Sequence, residues 1–179
     1  VLALAGTAAH AAIGAAMAVA YKAGEMINAF MESEKAAMKM AVAMKNQGEY
    51  SQQALNDMQA YAAELQRTTT IEDDLALSVM ATLKTFGMSN EEMKRAMKVA
   101  ADMSTQTGKS IEDTAQAVAL AYNGQARALK QYGVVIQEGT DKSEVFNTAL
   151  LALEARYSGA AQAELATYSG QWKQLKNQW

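Results

Sequence analysis

Between Glu64 and Val134, residues that open helices and residues that close them follow one another so closely that only short helices fit between them. Thr70-Ile71-Glu72-Asp73, Ser89-Asn90-Glu91-Glu92 and Ser110-Ile111-Glu112-Asp113 each set a hydroxyl three residues ahead of a carboxylate. At that spacing side chain and backbone satisfy each other's free N–H groups at a helix start. Gly87 and Gly108 fall where a left-handed residue would end the helix before them, a position that glycine occupies without a Cβ clash. Between these marks the apolar residues recur at helical spacing. Ile71, Leu75, Val79, Leu83 and Phe86 form one stripe; Met93, Met97, Ala100 and Ala101 form a second; Ile111, Ala115, Val118, Ala119 and Tyr122 form a third. The pattern predicts short, packed helices.

The rest of the chain keeps to the same class. Proline is absent from all 179 residues, which suits long uninterrupted helices. Half the residues are hydrophobic and a fifth are charged, the balance of a folded chain with one real core. Cysteine is absent as well, which removes disulfides, thiolate metal sites and cysteine nucleophiles. A formal net charge of -3 provides no overall basic field to draw in nucleic acid. With no terminal signal from Val1 to Trp179, the chain is expected to be a piece of something longer.

The opening segment, VLALAGTAAHAAIGAAMAVAY, has no charged side chain before Lys22. It is long enough to span a bilayer, which needs roughly 20 apolar residues. It is mostly alanine and glycine, however, and alanine adds little transfer energy. Close packing against a copy of itself or a neighbour is therefore the favoured reading. A cleaved signal is less expected still, since no basic region precedes it. Ala3, Gly6, His10, Ile13, Met17, Ala20, Gly24, Ile27 and Met31 alternate spacings of three and four, a coiled-coil-like seam interrupted at Glu34. Gly6, His10, Ile13, Met17, Ala20 and Gly24 are the candidate self-packing residues. His10 is the sole histidine; on such a face it reads as a packed or hydrogen-bonded residue, and it cannot form a histidine metal site alone.

The helix continues with more charge to Lys45, with Glu34, Met38 and Ala41 on one face and Phe30, Ala37 and Met44 on the other, and Asn46-Gln47-Gly48 ends it. Ser51 is placed to cap a helix carrying Leu55, Met58, Ala62 and Leu65 as far as Thr68. After the central train, Asn123-Gly124 predicts a turn, and a short helix through Ala126, Leu129 and Lys130 ends at Gly133. Val134-Val135-Ile136 predicts an extended connector. Asp141-Lys142-Ser143-Glu144 opens a helix burying Val145, Phe146, Ala149, Leu150, Leu153 and Tyr157, which Ser158-Gly159 closes. A last helix from Tyr168 puts Trp172, Leu175 and Trp179 on one face, available either to complete the core or to dock on a partner. The expected fold class is thus all-α: a long Ala/Met-rich helix over 1–47, coiled-coil-like or membrane-active, then a compact bundle of short capped helices over 48–179.

Residues that could carry chemistry are few. Glu72-Asp73-Asp74 and Glu91-Glu92 lie in first turns, where carboxylates favour the positive end of the helix dipole, an ordinary structural placement. No glycine loop has phosphate-binding spacing, and the serines and threonines sit mainly at caps. Lys94, Arg95 and Lys98 form a small basic patch flanked by Glu91 and Glu92, read as a solvated face. Twelve methionines are read first as ordinary helical core and second as an adaptable binding face. No enzyme, cofactor or metal site is expected.

Several motifs, in their order, resemble phage tail length tape-measure proteins. Glu64-Leu65-Gln66-Arg67-Thr68-Thr69 precedes an acidic helix start. Then come Thr85-Phe86-Gly87, Ala100-Ala101-Asp102-Met103-Ser104 and Thr107-Gly108-Lys109-Ser110. Asn123-Gly124, Leu129-Lys130-Gln131-Tyr132-Gly133-Val134 and Ser169-Gly170-Gln171-Trp172-Lys173-Gln174-Leu175-Lys176-Asn177-Gln178-Trp179 continue the likeness. The Ala/Gly-rich helix leading into Phe30-Met31-Glu32-Ser33-Glu34 is similar to the stretch that precedes this region in the family. Two positions depart: Thr70 stands where a glycine is common, and Tyr132 where an aliphatic residue is more usual.

The resemblance implies a multi-copy structural protein of a phage or prophage tail, present in the virion and, during assembly, in the host cytoplasm. Such proteins are a homo-oligomer in the tube lumen that sets tail length, and they leave ahead of the DNA. The implied partners are the tail tube protein, tail assembly chaperones and tail-tip proteins, with host membrane contact during ejection and no sequence-specific nucleic-acid binding. Two other classes stay open on the residues alone: a membrane-active helical protein using 1–21, and a non-catalytic helical adaptor using Trp172 and Trp179.

Overall fold

The computed structural model describes the backbone of residues 2–137 and 141–177, with side chains described over 21–137 and 141–177. The fold is all-α, and no strand occurs among the described residues. The helices are α1 (Leu2–Asn46), α2 (Gln52–Thr68), α3 (Asp73–Thr85), α4 (Asn90–Thr107), α5 (Ile111–Tyr122), α6 (Lys142–Tyr157), α7 (Ala160–Leu165) and α8 (Tyr168–Lys176). The short helix predicted before Gly133 is a 3-10 segment, Ala126–Tyr132, closed by Gly133 in the left-handed conformation.

The chain divides into two compact units, 1–35 and 36–179. In the first, residues 21–35 are exposed throughout, and a surface ion pair joins Lys35 to Glu32. The second begins earlier than the 47/48 boundary read from the sequence, because the last turns of α1 carry core residues. Ala36, Met40, Ala43 and Met44 are buried, whereas Phe30 and Met38 are exposed. Of the residues on the two helix faces read from the sequence, Met44 alone is buried; the buried stripe is 36, 40, 43 and 44, with Ala37 and Ala41 partly buried beside it.

Within the second unit the caps behave largely as their chemistry requires. Ser51 accepts the Ala54 N–H at the start of α2, and Leu55, Met58, Ala62 and Leu65 are the buried residues of that helix. Ser89 and Glu92 form a complete capping box on α4, and Gly108 ends that helix at φ 69°. Ser110 accepts the Asp113 N–H at α5. The exception is Thr70. The helix after it begins at Asp73, with Glu72 in the cap position and no side-chain cap. The Thr70 hydroxyl donates instead to Glu164 Oε2 at 3.0 Å, so a contact made across the fold has taken the group that local chemistry would use as a cap.

α3, α4 and α5 supply the centre of the core, with Met80, Leu83, Met93, Met97, Met103 and Val118 fully buried. α6 packs on α4 and α5 through Val145, Phe146, Ala149, Leu150, Leu153 and Tyr157, the six residues its periodicity indicates. Tyr122 locks this corner: its ring meets Phe146 edge-on at 4.9 Å, and its hydroxyl donates to the Gly87 carbonyl at 2.9 Å. Residues 134–137 have no regular secondary structure; Val134 is buried, Val135 exposed, and Ile136 packs against the core. α7, which the sequence reading passes over, lies against α4 and α2 and carries α8.

Candidate functional site

Of the candidate residues whose side chains are described, Gly24, Trp172 and Leu175 lie on the surface rather than in a cleft. The side chains of Gly6, His10, Ile13, Met17 and Ala20, and the whole of Trp179, lie outside the described residues. The membrane-span expectation for 1–21 rests on the same residues, Tyr21 excepted. Gly24 is exposed, with open space where a Cβ would stand. Trp172 and Leu175 do not complete the core: they are 56% and 46% exposed and share their side of α8 with Tyr168. Among the described residues no helix is long and apolar enough to cross a membrane, and no three potential metal ligands cluster.

The carboxylates of the first turns do backbone work. Glu92 accepts from both the N–H and the hydroxyl of Ser89 at 2.8 Å, and Asp73 accepts the Asp74 N–H. The basic patch is not simply solvated. Arg95 reaches α6 and binds Glu154 with two parallel bonds, Nε to Oε1 at 2.6 Å and a terminal nitrogen to Oε2 at 2.8 Å. The fork matches the carboxylate geometry. These bonds hold the Glu154 carboxyl below its usual range: the Arg95 hydrogen bonds outweigh the opposing burial, and the charges of Arg95 and Lys98 add to them. Lys94 lies over the Tyr61 ring at 5.5 Å. Burial, helped by the charges of Glu64 and Glu91, pushes the Tyr61 phenol up to about 12.

The densest polar geometry surrounds the joint between α7 and the body of the module, and sequence reasoning missed it. Asp102, a buried residue of α4, accepts the Gly159 N–H at 3.2 Å and the Ala161 N–H at 2.9 Å. It therefore caps α7 from another helix, satisfying free donors at its N-terminus. Beside it a cleft of about 220 Å³ is floored by Leu65, Ala101 and Ala161 and rimmed by Tyr61, Glu64 and Lys98. Further along α7, Glu164 gathers three donors. Thr70 and Thr105 donate to Oε2 at 3.0 and 3.4 Å, and Lys173 of α8 donates to Oε1 at 2.6 Å. Burial raises the affinity of this carboxyl for a proton, but the Lys173, Thr70 and Thr105 hydrogen bonds together with the Lys173 charge outweigh it and hold it below the usual range.

α8 then turns back on α7 at Gly170, where an added Cβ would stand 2.0 Å from the Glu164 carbonyl oxygen. Only glycine permits that approach. Two bonds join the end of α8 to the body: Gln66 donates to the Asn177 carbonyl at 3.0 Å, and the Asn177 amide donates to the Thr70 carbonyl at 3.2 Å.

A second unanticipated group is Lys84, whose side chain is 0% exposed. Its ammonium donates to Glu49 Oε2 at 2.5 Å, the Met88 carbonyl at 3.0 Å and Asn90 Oδ1 at 2.9 Å. Its own backbone carbonyl accepts from the Gln47 side chain. The cluster ties the end of α1, the following loop and the α3–α4 turn together. All three of its ammonium donors are used in this cluster.

Chemically the arrangement can bind and hold, and Asp102, Glu154 and Glu164 are engaged in hydrogen bonds between helices. No protein-family model, curated protein or solved structure matches this chain.

Proposed function

We propose that this chain is a segment of a phage or prophage tail tape-measure protein, a structural component that occupies the tube lumen during assembly. The observation that carries the reading is the ordered run of resembling motifs from Glu64 to the end of the chain. Its support lies in where those motifs fall. Thr69 donates to the Leu65 carbonyl and accepts the Ile71 N–H at the α2–α3 joint. Phe86-Gly87, Gly108, Gly124 and Gly133 turn the chain between elements, Asp102 caps α7, and Gly170 permits the α7–α8 contact. The resemblance therefore concentrates on residues that set joints, as expected if it reflects a shared fold rather than shared composition.

In this reading residues 1–35 are the self-packing, rod-like part, and 36–179 are a compact module carried with it. The 45 residues of α1 would measure about 68 Å at the α-helical rise of roughly 1.5 Å per residue. A module folded into short helices contributes much less length per residue. The test is tail length in electron micrographs after in-frame deletion of residues 47–179 from the intact phage. Tails shortened by up to about 200 Å, the full helical length of the deleted segment, support the reading. Tails of unchanged length mean that the module does not count toward length, and its role then lies in initiation or ejection.

A second reading, a non-catalytic adaptor, draws on the outward-facing Tyr168, Trp172 and Leu175 of α8. It predicts a stable monomer that captures a cellular partner and loses it on Trp172→Ala.

A further inference from the structure

The last two helices attach to the module differently from the others. α6 sinks Val145, Phe146, Leu150, Leu153 and Tyr157 into the core, whereas among residues 160–177 Ala161 alone joins the buried cluster. Gly170 is buried without a side chain to contribute, and Tyr168, Trp172 and Leu175 face outward. What holds the segment is polar: Asp102 on the Gly159 and Ala161 N–H groups, Glu164 on Thr70 and Thr105, and the two bonds of Asn177. Water replaces such bonds when they open, so their net worth is modest, while buried apolar area is lost outright. At the junction stands Gly159, at φ 85° with open space where a Cβ would stand.

We propose that residues 160–177 form a latch that swings off the module as a unit about Ser158-Gly159 while α2–α6 stay folded. Asp102 and Glu164 are its two catches. Within the latch, Lys173 on Glu164 and the close approach at Gly170 keep α7 and α8 together, so the pair moves as one body. Opening uncovers Leu65 and Ala101, which line the cleft beside Ala161, and frees the Thr70 and Thr105 hydroxyls. The device does not depend on the tape-measure reading.

Native-state hydrogen exchange on the whole chain, at low urea and resolved by residue, tests it. Once released, helices of six and nine residues are too short to persist in water, so in the unaltered protein the amides of 163–176 should exchange through this opening, with little dependence on urea. Those of 115–121 in α5 should exchange only with global unfolding. Asp102→Asn and Glu164→Gln should each speed exchange in 163–176 about tenfold, and speed 115–121 by no more than that, since global unfolding breaks the same bonds. Equal protection and equal urea dependence of the two regions in the unaltered protein would overturn the latch. So would variants that leave exchange in 163–176 unchanged.

Discussion

Replacing Lys84 with methionine tests how far the buried polar cluster, rather than apolar packing, holds the α1–α3–α4 corner together. Methionine nearly matches the lysine stem in volume, so the change removes the ammonium without opening a large cavity. Two acceptors then lose a donor: the carbonyl of fully buried Met88 and the Oδ1 of Asn90. An unsatisfied buried acceptor costs about 1–3 kcal/mol. The third partner, Glu49, is 43% exposed on its side chain and can rehydrate, so the loss falls short of the roughly 3–5 kcal/mol seen when a fully buried ion pair is broken. Methionine's own burial offsets part of the remainder.

The expected net destabilisation is about 2–3 kcal/mol, which for a chain of this size lowers the thermal midpoint by about 4–12 °C. Urea unfolding should show a lower midpoint at unchanged slope, since the surface exposed on unfolding is the same. Glu49→Gln should cost less than about 1 kcal/mol, because its carboxylate is partly in water. A Lys84→Met protein as stable as the parent, or more stable, would refute the reasoning: the ammonium's desolvation would then outweigh its three bonds.

Two further outcomes follow from groups elsewhere in the module. The Glu154 carboxyl is held below its ordinary value of 4.5 chiefly by Arg95, so its contribution to stability is complete above that value and is lost as pH falls through the depressed one. The urea midpoint should drop on acidification in the parent, and Glu154→Gln should be less stable near neutrality with a shallower acid limb; parallel acid limbs would count against the pair. Tyr132 is 2% exposed, and its hydroxyl has no hydrogen-bond partner among the described residues, while Lys109 lies 4.9 Å from its ring centre. Tyr132→Phe keeps the ring and should leave stability unchanged or raise it by up to about 1 kcal/mol, read as a urea midpoint.

The elements that could be read in advance share a physical trait: the information for each is local. The capping box at Ser89 and Glu92, the caps at Ser51, Ser110 and Asp141, and the left-handed glycines 87, 108 and 133 depend on residues within about one turn of each other. The buried sets of α2 and α6 follow from a period of 3.6 residues and match residue for residue. α7 escapes because six residues are too few to show a period, and its cap comes from Asp102 rather than from its own sequence. The solvated reading of Arg95 fails for a related reason: its partner Glu154 is 59 residues away.

Amino-acid order alone determined the all-α class, most helix ends and the inward face of most helices of the module, because capping, periodicity and the absence of proline act over a few residues. Tertiary structure decided which polar groups became joints. The same hydroxyl-to-carboxylate spacing yields a full capping box at Ser89, yet at Thr70 the hydroxyl is claimed by Glu164, 94 residues away. It also placed Lys84 wholly inside and left Trp172 half outside, against what a charge and an indole suggest on their own. Burial depends on which surfaces meet, and a helix of given periodicity has no information about what its face will find opposite.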